Sequence, residues 1–128
     1  MIKAAGGAPT ALAGRHILIV EDEMLIAFAL SDMVTELGCT SVLAARIVKA
    51  IELVMTQPFD AAILDMNLAG EASYPIAEAL VKRRIPFVIA TGYGTEGIEA
   101  DYRDRPMLPK PYFVAQVQAA LLAALKQS

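Results

Sequence analysis

Apolar residues fall along this chain in two alternating rhythms: short unbroken runs, and longer stretches with helical spacing. Ile17-Leu18-Ile19-Val20 is an unbroken run with β-branched residues, which predicts a strand covered on both faces. Met24 to Leu37 carries Ile26, Leu30, Met33, Val34 and Leu37 at helical spacing, with Gly38 at the C-cap position. The cycle then repeats. Thr40–Ala44 reads as a second strand, and Ala45–Thr56 as a helix with Ile47, Ile51 and Val54 on one face and Pro58 beyond its end. Ala61–Leu64 is a third strand, followed by a helix over Tyr74–Arg84 with Pro75 in its first turn. Ile85–Ala90 is a fourth strand, and Gly92–Arg105, rich in glycine and charge, holds at most a short helix. Met107–Pro109 is a brief fifth strand and Phe113–Lys126 the last helix.

Five strands alternating with helices predict an α/β fold with a five-stranded parallel sheet and helices on both faces. Residues 1–13 are rich in alanine and glycine and lack periodicity, so they are expected to be a flexible N-terminal tail ahead of one domain over residues 14–128. Neither an internal repeat nor a linker interrupts that domain. Met1 and the tail favour a natural start over excision from a larger hybrid protein.

Composition narrows the classes. At 128 residues with 56% apolar content, the chain can fill the core of one domain. Its apolar runs fall short of the roughly 18 residues of a membrane span, and the start does not resemble a secretory signal. A net charge of −3 argues against nucleic-acid binding, which asks for a basic patch. The single cysteine, Cys39, opens an apolar run and reads as a small core residue; lone His16 also opens a strand and carries little weight as a catalytic group. These features fit a cytoplasmic protein with no membrane association.

In an open parallel sheet, ligands bind beyond the carboxyl ends of the strands. Glu21 and Asp22 follow the first strand, Asp65 the third, Thr91 the fourth, and Lys110 lies near the fifth. Any one of them is readily a cap or a turn former. Together they put three carboxylates, a hydroxyl and an ammonium at one end of the sheet. Clustered carboxylates repel, and a divalent cation removes the conflict; all-oxygen ligands suit a hard ion such as Mg²⁺. A carboxylate can act as nucleophile to form an acyl phosphate, with Lys110 offsetting phosphate charge and Thr91 donating a hydrogen bond.

These residues resemble the receiver domain of bacterial response regulators, the phosphoacceptor modules of two-component phosphorelays. The resemblance runs from Gly14 to the C-terminus and rests on Val20-Glu21-Asp22-Glu23, Ile63-Leu64-Asp65-Met66-Asn67-Leu68, Ala90-Thr91-Gly92-Tyr93 and Lys110-Pro111. It implies the flavodoxin-like receiver fold with strand order 2-1-3-4-5. It also implies Asp65 as phosphoacceptor, Asp22, Asp65 and the Asn67 backbone carbonyl as Mg²⁺ ligands, and Glu21 acting through the metal's water shell. Thr91 would be the switch hydroxyl and Lys110 the phosphate-sensing amine, with a cis Lys110–Pro111 bond. The implied donor is a phosphohistidine on a sensor histidine kinase or histidine phosphotransfer protein. Signalling would run by contact with a downstream protein, or the domain would serve as a phosphate sink. No enzyme activity is implied beyond self-phosphorylation and autodephosphorylation, and a homodimer is compatible with the sequence.

Two departures matter. Many receivers carry Tyr or Phe three residues before the lysine, where this chain has Met107. The step from Thr91 to Lys110 is 110 − 91 = 19 residues, short for two loops, a full helix and a strand. With Ile89-Ala90-Thr91-Gly92-Tyr93, these features resemble the FATGUY receivers, often stand-alone proteins with a short or mobile fourth helix. Ordering of Gly92–Asp104, rather than an aromatic flip, is therefore the expected switch. The expected output face includes Tyr102, Met107, Tyr112 and Phe113. One rival is a degenerate receiver that binds partners without phosphorylation, although every chemical position is suitably filled. Another is a flavodoxin-like cofactor binder or a phosphatase. Glu21-Asp22-Glu23 would repel a phosphate where such a binder needs Gly, Ser or Thr, and Asn67 is no general acid.

Overall fold

The computed structural model describes residues 11–92 and 97–127. Strand β1 (His16–Val20) leads to α1 (Met24–Glu36), β2 (Thr40–Ala44), α2 (Ile47–Thr56) and β3 (Ala61–Asp65). Two short strands, β4 (Asn67–Leu68) and β5 (Glu71–Ala72), precede α3 (Tyr74–Lys82) and β6 (Phe87–Thr91). A 3₁₀ turn at Ala100–Tyr102, strand β7 (Met107–Pro109) and α4 (Val114–Gln127) complete the chain.

The main sheet has order β2-β1-β3-β6-β7, every neighbour parallel. With β4 and β5 set apart in a hairpin, this is the expected 2-1-3-4-5 order. Its central strands are unbroken apolar runs because alternate residues feed two different cores. Leu18, Val20, Ala62, Leu64, Phe87 and Ile89 point into one core, capped by α2 and α3. Ile17, Ile19, Ala61, Ile63, Val88 and Ala90 point into the other, under α1 and α4.

Gly38 ends α1. It sits at φ +93°, and a Cβ there would lie 3.0 Å from the Ala13 Cα. That close approach bears on the expected tail. Residues 1–10 lie outside the described residues, but 11–13 do not behave as a tail. Leu12 is fully buried in the second core, its carbonyl accepts from the Cys39 thiol at 3.3 Å, and Gly14 N–H donates to Gly38 O at 2.8 Å. A lone leucine among alanines shows no periodicity, which is why the boundary falls earlier than expected. The β4–β5 hairpin was also unforeseen. Ala69 (φ 52°) and Gly70 (φ 89°) form its turn, and two residues a side are too few to show alternation.

The lone histidine lies at the amino end of the sheet, away from the strand ends expected to carry the chemistry. Its ring stacks on Phe59 with centroids 5.0 Å apart, and Nδ1 is 2.7 Å from Thr40 Oγ1.

Replacing Leu12 with alanine is expected to cost about 2–5 kcal/mol of unfolding free energy in urea titrations. Leu25 is 85% exposed on α1, and Leu25→Ala should stay within about 0.5 kcal/mol of wild type. Equal effects from the two substitutions would show that residue 12 is not part of the core.

Candidate functional site

Ladder register brings the polar strand ends together. Val20 pairs with Leu64, so Glu21 and Asp65 follow side by side; Asp65 pairs with Ala90, and Thr91 pairs with Pro109, the residue before Lys110. Glu21, Asp22 and Asp65 each offer a carboxylate oxygen, and the three lie within 4.8 Å of one another. Asp22, Asp65, Asn67, Thr91 and Lys110 line one open cleft of about 730 Å³ at this edge. Every site residue expected from the sequence therefore lies at this edge of the sheet.

Backbone amides hold the carboxylates in place. Asn67 N–H donates to Asp65 Oδ1 at 3.0 Å, Ala69 N–H to Asp22 Oδ2 at 3.0 Å, and Glu23 N–H to Glu21 Oε2 at 3.2 Å. Asn67 Oδ1 accepts from Gly70 N–H at 2.9 Å, so the unforeseen hairpin stiffens the loop that carries Asn67. On the far wall Lys110 N–H reaches Thr91 O at 3.4 Å, and the Lys110–Pro111 bond is cis.

Glu21 is 2% exposed, and its Oε1 has no hydrogen-bond partner among the described residues. Burial, with the Asp65 charge adding to it, raises this carboxyl from the ordinary 4.5 to about 7, against the opposing pull of the Glu23 amide and Lys110. The Tyr112 hydroxyl is likewise buried without a partner among the described residues. Burial pushes its phenol up, and Glu21, Asp65 and Glu23 push the same way. Crowded carboxylates, an orphaned buried carboxylate oxygen and a ligand set free of nitrogen and sulfur fit a hard divalent cation.

Sequence reading missed Ser73 and Tyr74. Ser73 is fully buried; its hydroxyl donates to Asp65 O at 2.7 Å and its amide to Met66 O at 3.0 Å. Tyr74 stands on the cleft wall and reaches the backbone of Gly97 and Glu99. The helix starting at Tyr74 was expected, but nothing local says that the Ser73 hydroxyl turns back toward the strand. Of the expected output face, Tyr102 and Met107 pack against one core and Tyr112 against the other, while Phe113 is 58% exposed. Residues 93–96 of the expected switch segment lie outside the described residues.

This fold and strand-end site define a signalling receiver, and comparison with known proteins agrees. The response regulator receiver domain family matches residues 17–121, and the chain belongs to it, a receiver domain of two-component systems. The sensory transduction protein LytT of Bacillus subtilis (strain 168) is 33% identical over 113 residues, covering 83% of this chain and 46% of that protein. The chain spans about half the length of the curated relatives it matches. The solution structure of SdrG from Sphingomonas melonis Fr1 is 45% identical, covers 91% of this chain and 99% of that one, and superposes with a TM-score of 0.78. The receiver domain of sensor histidine kinase PA1611 from Pseudomonas aeruginosa PAO1 is 25% identical, with a TM-score of 0.76 over 89% of this chain and 99% of that one; it holds a magnesium ion coordinated in its active-site cleft. Among the described residues, no helix of this chain is long and apolar enough to cross a membrane.

The raised Glu21 pKa gives a signed prediction for metal-free protein. The folded state holds this proton to about 7 and the unfolded chain only to about 4.5. Its contribution to stability is therefore complete below about 4.5 and is lost as pH rises through about 7. Urea unfolding in chelator should show wild type losing stability relative to Glu21→Gln between about pH 5 and about pH 8. A pH-independent difference between the two proteins would refute the shift.

Proposed function

We propose that this chain is a phosphoaccepting receiver switched by Mg²⁺-dependent phosphorylation of Asp65. The proximity of Glu21, Asp22 and Asp65 beside a cleft walled by Thr91 and Lys110 carries the reading. Asp22, Asp65 and the Asn67 carbonyl would hold Mg²⁺, with Glu21 acting through its water shell. When bound, the ion supplies charge neutralisation and orientation for an incoming phosphoryl group. The magnesium seen in the PA1611 receiver supports that assignment.

Asn67 N–H holds Asp65 Oδ1, which leaves attack to Oδ2. The new bond joins that oxygen to phosphorus as the phosphorus–nitrogen bond of a phosphohistidine donor breaks, leaving an acyl phosphate and a free imidazole. Modification adds about −1.5 to −2 charge. Lys110 offsets part of it, and Thr91 at the end of β6 donates a hydrogen bond to a phosphoryl oxygen. The donor is a sensor histidine kinase or a histidine phosphotransfer protein in the cytoplasm. Residues 14–128 act as the signalling unit, passing the state on by protein contact or serving as a phosphate sink. Receivers as a class are signalling modules, and the chemistry proposed here is confined to gaining and losing this one group.

Intact mass after incubation with a small acyl-phosphate donor and Mg²⁺ tests the reading. One added phosphoryl group is expected on wild type, with none on Asp65→Ala and none in chelator. No gain on wild type, where a control receiver is modified, would replace this reading with an unphosphorylated protein-binding module.

A further inference from the structure

The family's usual aromatic position holds Met107, so the route from Asp65 to the output face needs another carrier. Tyr74 is the side chain placed to supply it. Its hydroxyl accepts from Glu99 N–H at 2.8 Å and donates to Gly97 O at 3.3 Å, pinning the segment that leads into the 3₁₀ turn. Its ring stacks on Tyr102 with centroids 5.6 Å apart, and Tyr102 leans on Phe87 at 6.3 Å. Arg105 covers Phe87 with its guanidinium 4.5 Å from the ring centre. Phe87 opens β6, the strand that ends at Thr91.

The residue before Tyr74 reads the other end. A serine at a helix N-cap ordinarily accepts from an amide of the first turn. Ser73 makes no such cap; its hydroxyl turns back to the Asp65 carbonyl at 2.7 Å. Adjacent residues thus grip the backbone of the acceptor and the backbone of residues 97–99. The segment they join carries Tyr102 of the expected output face and borders the cleft through Gly97 and Ile98.

We propose that Ser73 and Tyr74 couple Asp65 to the output face, with Tyr74 as a positioning residue whose hydroxyl reports the state of Asp65 to residues 97–102. The coupling rests on the phosphoacceptor reading above. A change at the Asp65 backbone moves Ser73, and Tyr74 carries that movement to the Glu99 amide and the Tyr102 ring. No rotation at position 107 is required.

Amide exchange on wild type and Tyr74→Phe, each with and without acyl-phosphate donor and Mg²⁺, tests it. Phenylalanine keeps the ring stack and removes only the hydroxyl. In unmodified Tyr74→Phe the Glu99 amide should exchange about ten-fold faster than in wild type, the effect of one lost hydrogen bond. Phosphorylation should change protection of residues 97–102 several-fold in wild type. In the variant that difference should vanish while Asp65 still takes its phosphoryl group. A side chain with a merely structural role would lower protection in both states and leave the difference between them. Modified proteins with equal state differences therefore overturn the coupling alone; a wild type that takes no phosphoryl group overturns the phosphoacceptor reading and the coupling together.

Discussion

The crowding of carboxylates at the candidate site follows from the pairing of β1 with β3. Val20 faces Leu64 across that ladder, so the next residue on each strand must emerge beside the other, and both are acidic: Glu21 and Asp65. The strands beneath them are buried to the last apolar residue and fixed in a parallel ladder, so the carboxylates cannot splay apart without breaking the sheet. The chain therefore stores a like-charge conflict. In the bare protein burial, with the Asp65 charge adding to it, favours the protonated Glu21 carboxyl; a bound hard cation would offset the charge without a proton. A site whose charge balance would shift with a bound ion would also be sensitive to an added phosphoryl group, and such sensitivity is what a switch requires.

Around that conflict the polypeptide spends its small polar contacts on position rather than on stability. Each candidate carboxylate is held by a backbone amide two residues ahead or across the cleft. The β4–β5 hairpin is too short to add much to the core, yet it fixes the loop carrying Asn67 and supplies the amide that meets Asp22. Ser73 forgoes the cap that α3 would gain from it in favour of the Asp65 carbonyl. None of these contacts is large, at roughly 0.5–1.5 kcal/mol each for an ordinary hydrogen bond. Their shared direction, toward the cluster of Glu21, Asp22, Asp65 and Asn67, is what matters.

The strands were readable in the sequence because runs such as Ile17–Val20 feed two cores at once and so leave no polar gaps. The candidate site was readable for the same reason: in a parallel sheet the residue after each run is placed by the run itself. Leu12 was not, because its burial comes with the close approach of Ala13 and Gly14 to Gly38, which no local spacing encodes. The contacts of Tyr74 were not, because they reach residues 23 and 25 positions away. In the sequence Tyr74 only opens a helix and Tyr102 only falls on the expected output face; the fold stacks them.

Met107 then takes on a different meaning. A methionine there fills the same core as Tyr74 and Tyr102 but has no hydroxyl with which to grip a backbone. An aromatic flip at that position would move a ring between core and solvent on β7. In this chain the ring that meets the segment after Thr91 sits on α3 instead, joined through Ser73 to the end of β3. Information leaving Asp65 by that path would pass through α3 rather than along β6 and over to β7. It also acts on backbone amides as well as on a side chain. A segment held by an amide and a carbonyl responds to small displacements, because hydrogen bonds weaken steeply with misalignment. The short span between Thr91 and Lys110 is consistent with this arrangement: a segment pinned at Gly97 and Glu99 needs no full helix to present Tyr102.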